Sequence, residues 1–396
     1  MAHPHASPVS DKPQTAPDYV RCMEVFVTNR CNMACANCCV NTSKHSDGAV
    51  RLEWDDLSAA IDLFMDKEQV PYAGQKTIVF AGGESLFEYP LIQKAVDYAQ
   101  KFPLIPHFEI YTNGTVVKPE WITELNKSDV TVIFSLDGDK SGHDAARKFS
   151  RAPGLSSYDE VMGRLETVPL DGCATNTVIR PQNLDGLVDA FDDYSKMGFQ
   201  QIDMWLDYLH IWTPEQVDAL EAFVADFRRY YAHRTTKEGA IPFVVPMIHH
   251  ALYNGTALAR GTAWWQDCVR LIMGADGHFY DCEGALLLPY GDVRDTRSIN
   301  RASDGKGVDW AARQAIMDQA EEKLKTLDTK NNWQYVCPRL YCTAMGLSGK
   351  EPDEAVANLH RASEAFLKGL VELADELKEN ESFKRAYLKQ VLDTPG

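Results

Sequence analysis

Six short apolar runs with the composition of β-strands, each followed by a helical or loop segment, constrain this chain more than any other feature. They are Cys22–Thr28, Thr77–Ala81, His107–Thr112, Val130–Leu136, Ala174–Ile179 and Gln201–Trp205. Between the first two, Leu57, Ile61 and Phe64 recur at i, i+4 and i+7, the spacing of one helix face. Leu91, Ala95 and Tyr98 form a similar stripe after the second run. Strands that alternate with helices pair in parallel through right-handed crossovers. Six units predict an α/β fold, a partial (β/α)6 TIM-like barrel that stays open rather than closing at eight. In such sheets ligands collect at the carboxyl ends of the strands.

The residues with chemistry fall at those ends. Cys31, Cys35 and Cys38 follow the first run, and Gly82-Gly83-Glu84-Ser85 follows the second. Thr112-Asn113-Gly114-Thr115 follows the third, and Ser135-Leu136-Asp137-Gly138 ends the fourth. The four loops are therefore expected on one face, with Gly82, Gly83, Glu84, Asn113, Ser135 and Asp137 as candidate cofactor contacts. Three thiolates in one short loop can hold three irons of a [4Fe–4S] cube and leave the fourth open. An open iron can bind a small molecule carrying both an amine and a carboxylate, such as S-adenosylmethionine. A structural zinc site is the plainer alternative, but it usually needs four ligands, often as two Cys-x2-Cys pairs.

Bulk properties narrow the class further. A chain of 396 residues exceeds one ordinary core but suits a large barrel with an appendage. No apolar run is long enough to span a bilayer. Residues 1–18, rich in Pro, His and Ser and without an apolar signal region, read as a disordered tail. Lack of an export signal points to the reducing cytoplasm, where ten cysteines suit metal or redox chemistry better than disulfides. The formal charge of −17 argues against a nucleic-acid partner.

A second segment, about 260–350, holds Cys268, Gly277, Cys282, Cys337 and Cys342. Four thiolates make one fully ligated [4Fe–4S] cluster without a vacant iron, or a four-cysteine zinc site. An amphipathic helix is expected near Trp310–Leu324. From about Pro352, Leu359, Ala362, Phe366, Leu370 and Leu373 keep a helical stripe suited to packing on the barrel. The expected organisation is thus a tail over 1–18, a barrel over 19–250, a cluster segment over 260–350 and a helical segment over 351–396.

On these residues the chain resembles radical S-adenosylmethionine enzymes carrying a C-terminal SPASM or shorter twitch domain, over about residues 20–345. Sulfatase-maturing and peptide-modifying enzymes are among them. The resemblance implies that Cys31, Cys35 and Cys38 hold the radical-generating cluster and that Gly82-Gly83-Glu84 binds the methionine amine. It implies a ribose contact for Ser135. It also implies that Arg147, four residues after His143, reaches the cofactor carboxylate, a task for which a bidentate guanidinium is suited. A full SPASM signature has more cysteines than the four here, so a single auxiliary cluster on Cys268, Cys282, Cys337 and Cys342 is implied. Glu283, directly after Cys282, resembles the acid that deprotonates substrate in sulfatase-maturing relatives. A salt-bridged or exposed acid is the other reading.

The sixth run leads into Asp203-Met204-Trp205-Leu206-Asp207-Tyr208-Leu209-His210, which makes Trp205, Asp207, Tyr208 and His210 candidate substrate contacts. Strand alternation puts Asp203, Trp205 and Asp207 on one side; aromatics there suit a core equally well. Cys22 and Cys173 begin strands, about 15–20 Å from the ligand face, too far to donate hydrogen to a substrate radical. The implied activity is reductive cleavage of S-adenosylmethionine, with electrons from flavodoxin or ferredoxin. Hydrogen abstraction from a peptide or protein, ending in oxidation or crosslinking, would follow. A twitch-type dehydrogenase or epimerase of small molecules is the alternative. A non-catalytic iron–sulfur electron carrier and a zinc-bearing interaction module belong to other classes.

Overall fold

A computed structural model describes residues 16–18, 20–36, 38, 40, 50–208, 210–249, 251–252, 269–287, 297–316 and 353–388. Nine strands among them form one sheet in the order β6-β5-β4-β3-β2-β1-β7-β8-β9. The first six are β1 (Cys22–Phe26), β2 (Thr77–Ala81), β3 (His107–Thr112), β4 (Val130–Ser135), β5 (Cys173–Ile179) and β6 (Ile202–Leu206). Each pairs in parallel with its sequence neighbour. The expected runs and the strands differ by no more than two residues at an end.

Helices follow the strands as the periodicity requires: α1 (Trp54–Met65), α2 (Tyr89–Ala99), α3 (Pro119–Leu125), α4 (Lys140–Ala146), α5 (Ser157–Leu165), α6 (Leu187–Met197) and α7 (Pro214–Glu238). Residues of one parity, such as Met23 and Val25, Ile78 and Phe80, Phe108 and Ile110, and Val132 and Phe134, join the core under these helices. The other parity faces the barrel interior. Leu57, Ile61 and Phe64 of α1 are fully buried. In α2 the buried set is Ile92, Ala95, Val96 and Ala99, so the stripe through Leu91 and Tyr98 is turned by one residue. Small residues let the helix approach the sheet closely, while Tyr98 sits at the margin with its hydroxyl 2.8 Å from Asp62 Oδ2.

The segment after the barrel continues the sheet. β7 (Arg270–Met273) pairs in parallel with β1, and β8 (His278–Tyr280) and β9 (Ser298–Arg301) add antiparallel strands. Residues 310–316 are helical. The late stripe is α8 (Asp353–Leu377), with Leu359, Ala362, Phe366, Leu370 and Leu373 buried. It packs on α7, where Gly369 lies against Val224 and Arg228 pairs with Glu372. Each buried Leu or Phe of this stripe contributes about 1.5–3 kcal/mol.

The packed chain begins earlier than composition indicates. Ala16 is buried and its N–H donates to Gln69 O at 2.8 Å, so the chain is packed by residue 16; residues 1–15 lie outside the described residues. No helix of the described residues is long and apolar enough to cross a membrane.

Candidate active site

The loops after β1 and β2 meet backbone to backbone. The N–H of Gly83 donates to Thr28 O and that of Glu84 to Arg30 O, both at 2.8 Å. A Cβ on Gly83 would stand 2.2 Å from Arg30 O. Gly82 holds φ at +148°, and a Cβ there would stand 2.5 Å from Thr28 O. Only glycine tolerates both the conformation and the approach.

Glu84 is bonded within the protein. Its carboxylate is buried and accepts from Thr112 Oγ1 at 2.7 Å, Asn113 N at 2.8 Å and Leu86 N at 3.1 Å. These bonds fasten the loop after β2 to the end of β3, which leaves the carboxylate committed inside the protein. Burial pushes the carboxyl above its usual range, against the opposing pull of these donors. The same lock orients Asn113. Its Nδ2 donates to Cys31 Sγ at 3.7 Å and to Asn32 Oδ1 at 3.0 Å, while its Oδ1 accepts from Thr115 N at 2.9 Å.

Cys31, Cys35 and Cys38 are partly exposed. Met33 N–H donates to Cys31 Sγ at 3.4 Å and Cys38 N–H to Cys35 O at 3.4 Å. Burial pushes the Cys31 thiol up to about 12, with Glu84, Cys35 and Cys38 adding to the shift. Cys35 is pushed up to about 11 by burial, against the pull of Arg147. The three sulfurs are near enough to act on one another and are the soft donors that iron–sulfur clusters take. Among the described residues no three His, Cys, Asp or Glu side chains converge as ligands of a single metal ion. A cube of four irons takes its thiolates at separate corners, and the donor chemistry of this loop fits it.

Behind Cys35 lies a buried charge cluster. Asp137 is fully buried and accepts from Arg147 Nε at 2.8 Å and Nη2 at 3.2 Å, from Val178 N at 2.9 Å and from Arg180 Nη2 at 3.4 Å. Burial raises the Asp137 carboxyl, but Arg147 and Arg180 outweigh it and hold the group below its ordinary value. Asp137 is the anchor of two guanidiniums, and Arg147 is gripped by it on the Cys35 side of the barrel. Arg180 escaped the sequence analysis; its signal was a charged residue immediately after a strand in a sheet whose other strand ends bear the motifs. Ser135 is half-buried at the end of β4, paired in register with Asn176.

The strand β6 residues separate. Trp205 Nε1 donates to Asp203 Oδ2 at 2.8 Å, while Asp207 is buried and its main-chain carbonyl accepts from Trp212 Nε1 at 3.0 Å. Tyr208 packs into the core, two residues past the end of the strand at Leu206. His210 Nε2 lies 2.9 Å from Gln216 Oε1, tied to the start of α7.

Of the four cysteines in the second segment, Cys268, Cys337 and Cys342 lie outside the described residues. Cys282 is buried beside the short helix that follows it. Glu283 sits 3.7 Å from Arg270 Nη1, which also lies 3.0 Å from Glu24 Oε2. The short helix it opens, Glu283–Leu287, brings Ala285 and Leu286 against Phe26, Ala81 and Ile272, with Cys38 at the edge of that cluster. Glu283 is thus an ion-paired acid next to the inner wall of β1.

With this geometry in place, residues 25–194 match the radical SAM superfamily. That stretch is similar to a radical SAM domain. It is 31% identical over 125 residues to the antilisterial bacteriocin subtilosin biosynthesis protein AlbA of Bacillus subtilis, covering 31% of this chain and 25% of AlbA. It is 26% identical over 141 residues to the radical SAM cyclopropyl synthase TigE of Paramaledivibacter caminithermalis, covering 32% of this chain and 29% of TigE. The chain spans 25% to 37% of the length of the curated relatives it matches. Among solved structures, anSMEcpe with bound AdoMet superposes with a TM-score of 0.67 at 13% identity, covering 93% of this chain and 98% of that one. At that identity the likeness concerns the fold alone.

Proposed function

We propose that this radical SAM protein cleaves S-adenosylmethionine at a cluster on Cys31, Cys35 and Cys38 and removes hydrogen from a peptide or protein, leading to oxidation or crosslinking. The observation that carries the reading is the convergence on one thiol loop of three other strand ends: Gly83 on Thr28, Asn113 on Cys31, and the Asp137-held Arg147 behind Cys35. A non-catalytic electron carrier has no need of the last two. When bound and reduced, the cluster supplies one electron to the sulfonium of S-adenosylmethionine, giving the carbon radical that takes the substrate hydrogen.

The chain's own residues do the positioning. Gly82 and Gly83 let the loop after β2 lie flat against the cluster loop, which leaves main-chain carbonyls at the rim to accept from a ligand amine. The guanidinium of Arg147, fixed bidentately by Asp137, presents positive charge on the side of Cys35 where a ligand carboxylate has a complement. Ser135 supplies a hydroxyl facing the barrel interior. Glu283, steadied by Arg270, is the acid placed to accept a substrate proton. Cys268, Cys282, Cys337 and Cys342 would hold the single auxiliary cluster, and flavodoxin or ferredoxin would deliver the electron.

A peptide substrate is supported by the kind of relatives found. AlbA is named for bacteriocin biosynthesis, and anSMEcpe binds the Cp18Cys peptide in a structure that superposes with a TM-score of 0.65. The test is 5′-deoxyadenosine formation by the anaerobically reconstituted protein, with host lysate before and after protease treatment. Stimulation lost on proteolysis supports a peptide or protein. Stimulation that survives moves the substrate to a small metabolite, and no 5′-deoxyadenosine from protein with intact clusters removes the enzymatic reading altogether.

A further inference from the structure

Arg180 is more buried than its bonding justifies. It is 4% exposed, yet its Nη2 reaches Asp137 Oδ2 only at 3.4 Å and Gly142 O at 3.5 Å, and its Nε is buried without a hydrogen-bond partner among the described residues. Guanidinium groups buried in proteins ordinarily spend their five donors on carboxylates and carbonyls. Its backbone is fixed all the same: the N–H donates to Asn183 Oδ1 at 2.8 Å, and Asn183 Nδ2 donates to Val178 O at 2.8 Å and Asp137 O at 3.2 Å. The side chain is therefore held in place by its loop and left under-bonded there.

The charges around it point to the missing partner. Arg147 takes the two shorter bonds to Asp137, so the direct contacts set two guanidiniums against one carboxylate. Asp207 adds a negative field from the side of β6. His143 is buried with Nε2 unpartnered, and burial lowers it to about 4, so it adds no charge. On the remaining side is the cluster loop: the N–H groups of Ala34 and Ala36 donate to Lys148 O and Ala146 O at 2.8 and 2.9 Å, which sets Cys35 opposite Arg147, the residue whose guanidinium shares Asp137 Oδ2 with Arg180. A cube on three thiolates is anionic, and it becomes more so when it takes up an electron.

We propose that Arg180 is an electrostatic positioning residue for the iron–sulfur cluster: held with Arg147 around Asp137 behind Cys35, it raises the cluster's reduction potential by stabilising its reduced, more negative form. The step is a one-electron uptake from a reductant, with no proton transferred. Charge near a cluster and hydrogen bonds to its sulfurs are the means by which proteins set such potentials. The inference rests on the three-thiol cluster described under Proposed function.

The experiment is an EPR-monitored reductive titration of reconstituted wild type, Arg180→Gln, Arg180→Met and Arg180→Lys, each matched for iron content and melting temperature. The two neutral variants, which differ in polarity but not in charge, are expected to shift the midpoint negative by about 59 mV, a tenfold change in the one-electron equilibrium. Arg180→Lys is expected to restore most of that shift. Using two neutral variants keeps the comparison usable where one of them fails to fold. Midpoints for a neutral variant and wild type that coincide overturn the proposal. A wild-type protein that assembles no cluster overturns the functional reading itself, a separate and earlier failure.

Discussion

The side-chain amide of Asn113 donates to Cys31 Sγ at 3.7 Å, joining the end of the third strand to the first thiol of the cluster loop. The amide is held from the other side by Thr115, whose N–H and hydroxyl donate to Asn113 Oδ1 at 2.9 and 2.7 Å. Asn113→Ala deletes these bonds together and leaves buried donors without partners. The expected result is a loss of about 1–3 kcal/mol in stability, with several-fold lower iron retention after reconstitution. Iron analysis beside a urea titration reads both.

Gly83 and Gly163 make a matched pair. A Cβ on Gly83 would collide with Arg30 O at 2.2 Å, whereas one on Gly163, in α5, meets nothing within 4 Å. Gly83→Ala must push the cluster loop aside, at a cost of about 1–3 kcal/mol, with little cluster assembled. Gly163→Ala relieves a helical glycine and is expected to stabilise by roughly 0.5–1 kcal/mol with full iron content. Denaturant midpoints that fall in both variants would contradict this assignment of the two sites.

The strands were legible because their apolar runs, their length and the helices between them all state the same parallel topology. The position of the site was legible for the same reason, since each motif stood at a strand's carboxyl end. What each polar side chain does was less so. Glu84 and Asp137 look alike from sequence, as acids in loops at the ligand face. The structure gives Glu84 three donors of its own and gives Asp137 two guanidiniums, and those partners lie between 2 and 43 residues away. Tyr208, named because β6 leads toward the ligand face, lies in the core two residues past the strand's end. The pairing of β7 with β1 joins Arg270 to Cys22 across most of the chain, and no local pattern encodes such a contact.

The Asp137 cluster gives the stability a specific pH dependence. Burial raises its carboxyl, but Arg147 and Arg180 hold it below the ordinary value, so on acidification the unfolded chain takes up the proton first. Its contribution is therefore complete above about pH 4, the ordinary carboxylate value, and is lost as pH falls through the lower folded value. Asp137→Asn leaves two buried guanidiniums poorly paired, for which about 3–5 kcal/mol is expected at neutral pH. Melting both proteins between pH 7 and pH 3 should show the gap narrowing only at the acid end. A gap of constant size would mean that Asp137 acts through shape rather than charge.

Glu283 separates a chemical role from a structural one. Its ion pair with Arg270 is shared with Glu24, which holds Arg270 at the shorter distance of 3.0 Å against 3.7 Å. Glu283→Gln consequently leaves Arg270 paired, and the fold should survive with a small change in melting temperature. In its proposed role as acceptor of the substrate proton, Glu283 is expected to be worth on the order of 10²–10⁴ in product formation. Cleavage of S-adenosylmethionine precedes that proton transfer and should continue. Glu283→Gln should therefore form 5′-deoxyadenosine at close to the wild-type rate while yielding little modified substrate. The two products, quantified from one reaction mixture, give the ratio directly. An unchanged ratio would return Glu283 to a purely structural role beside Arg270, because an ion pair alone has no means of uncoupling the two steps.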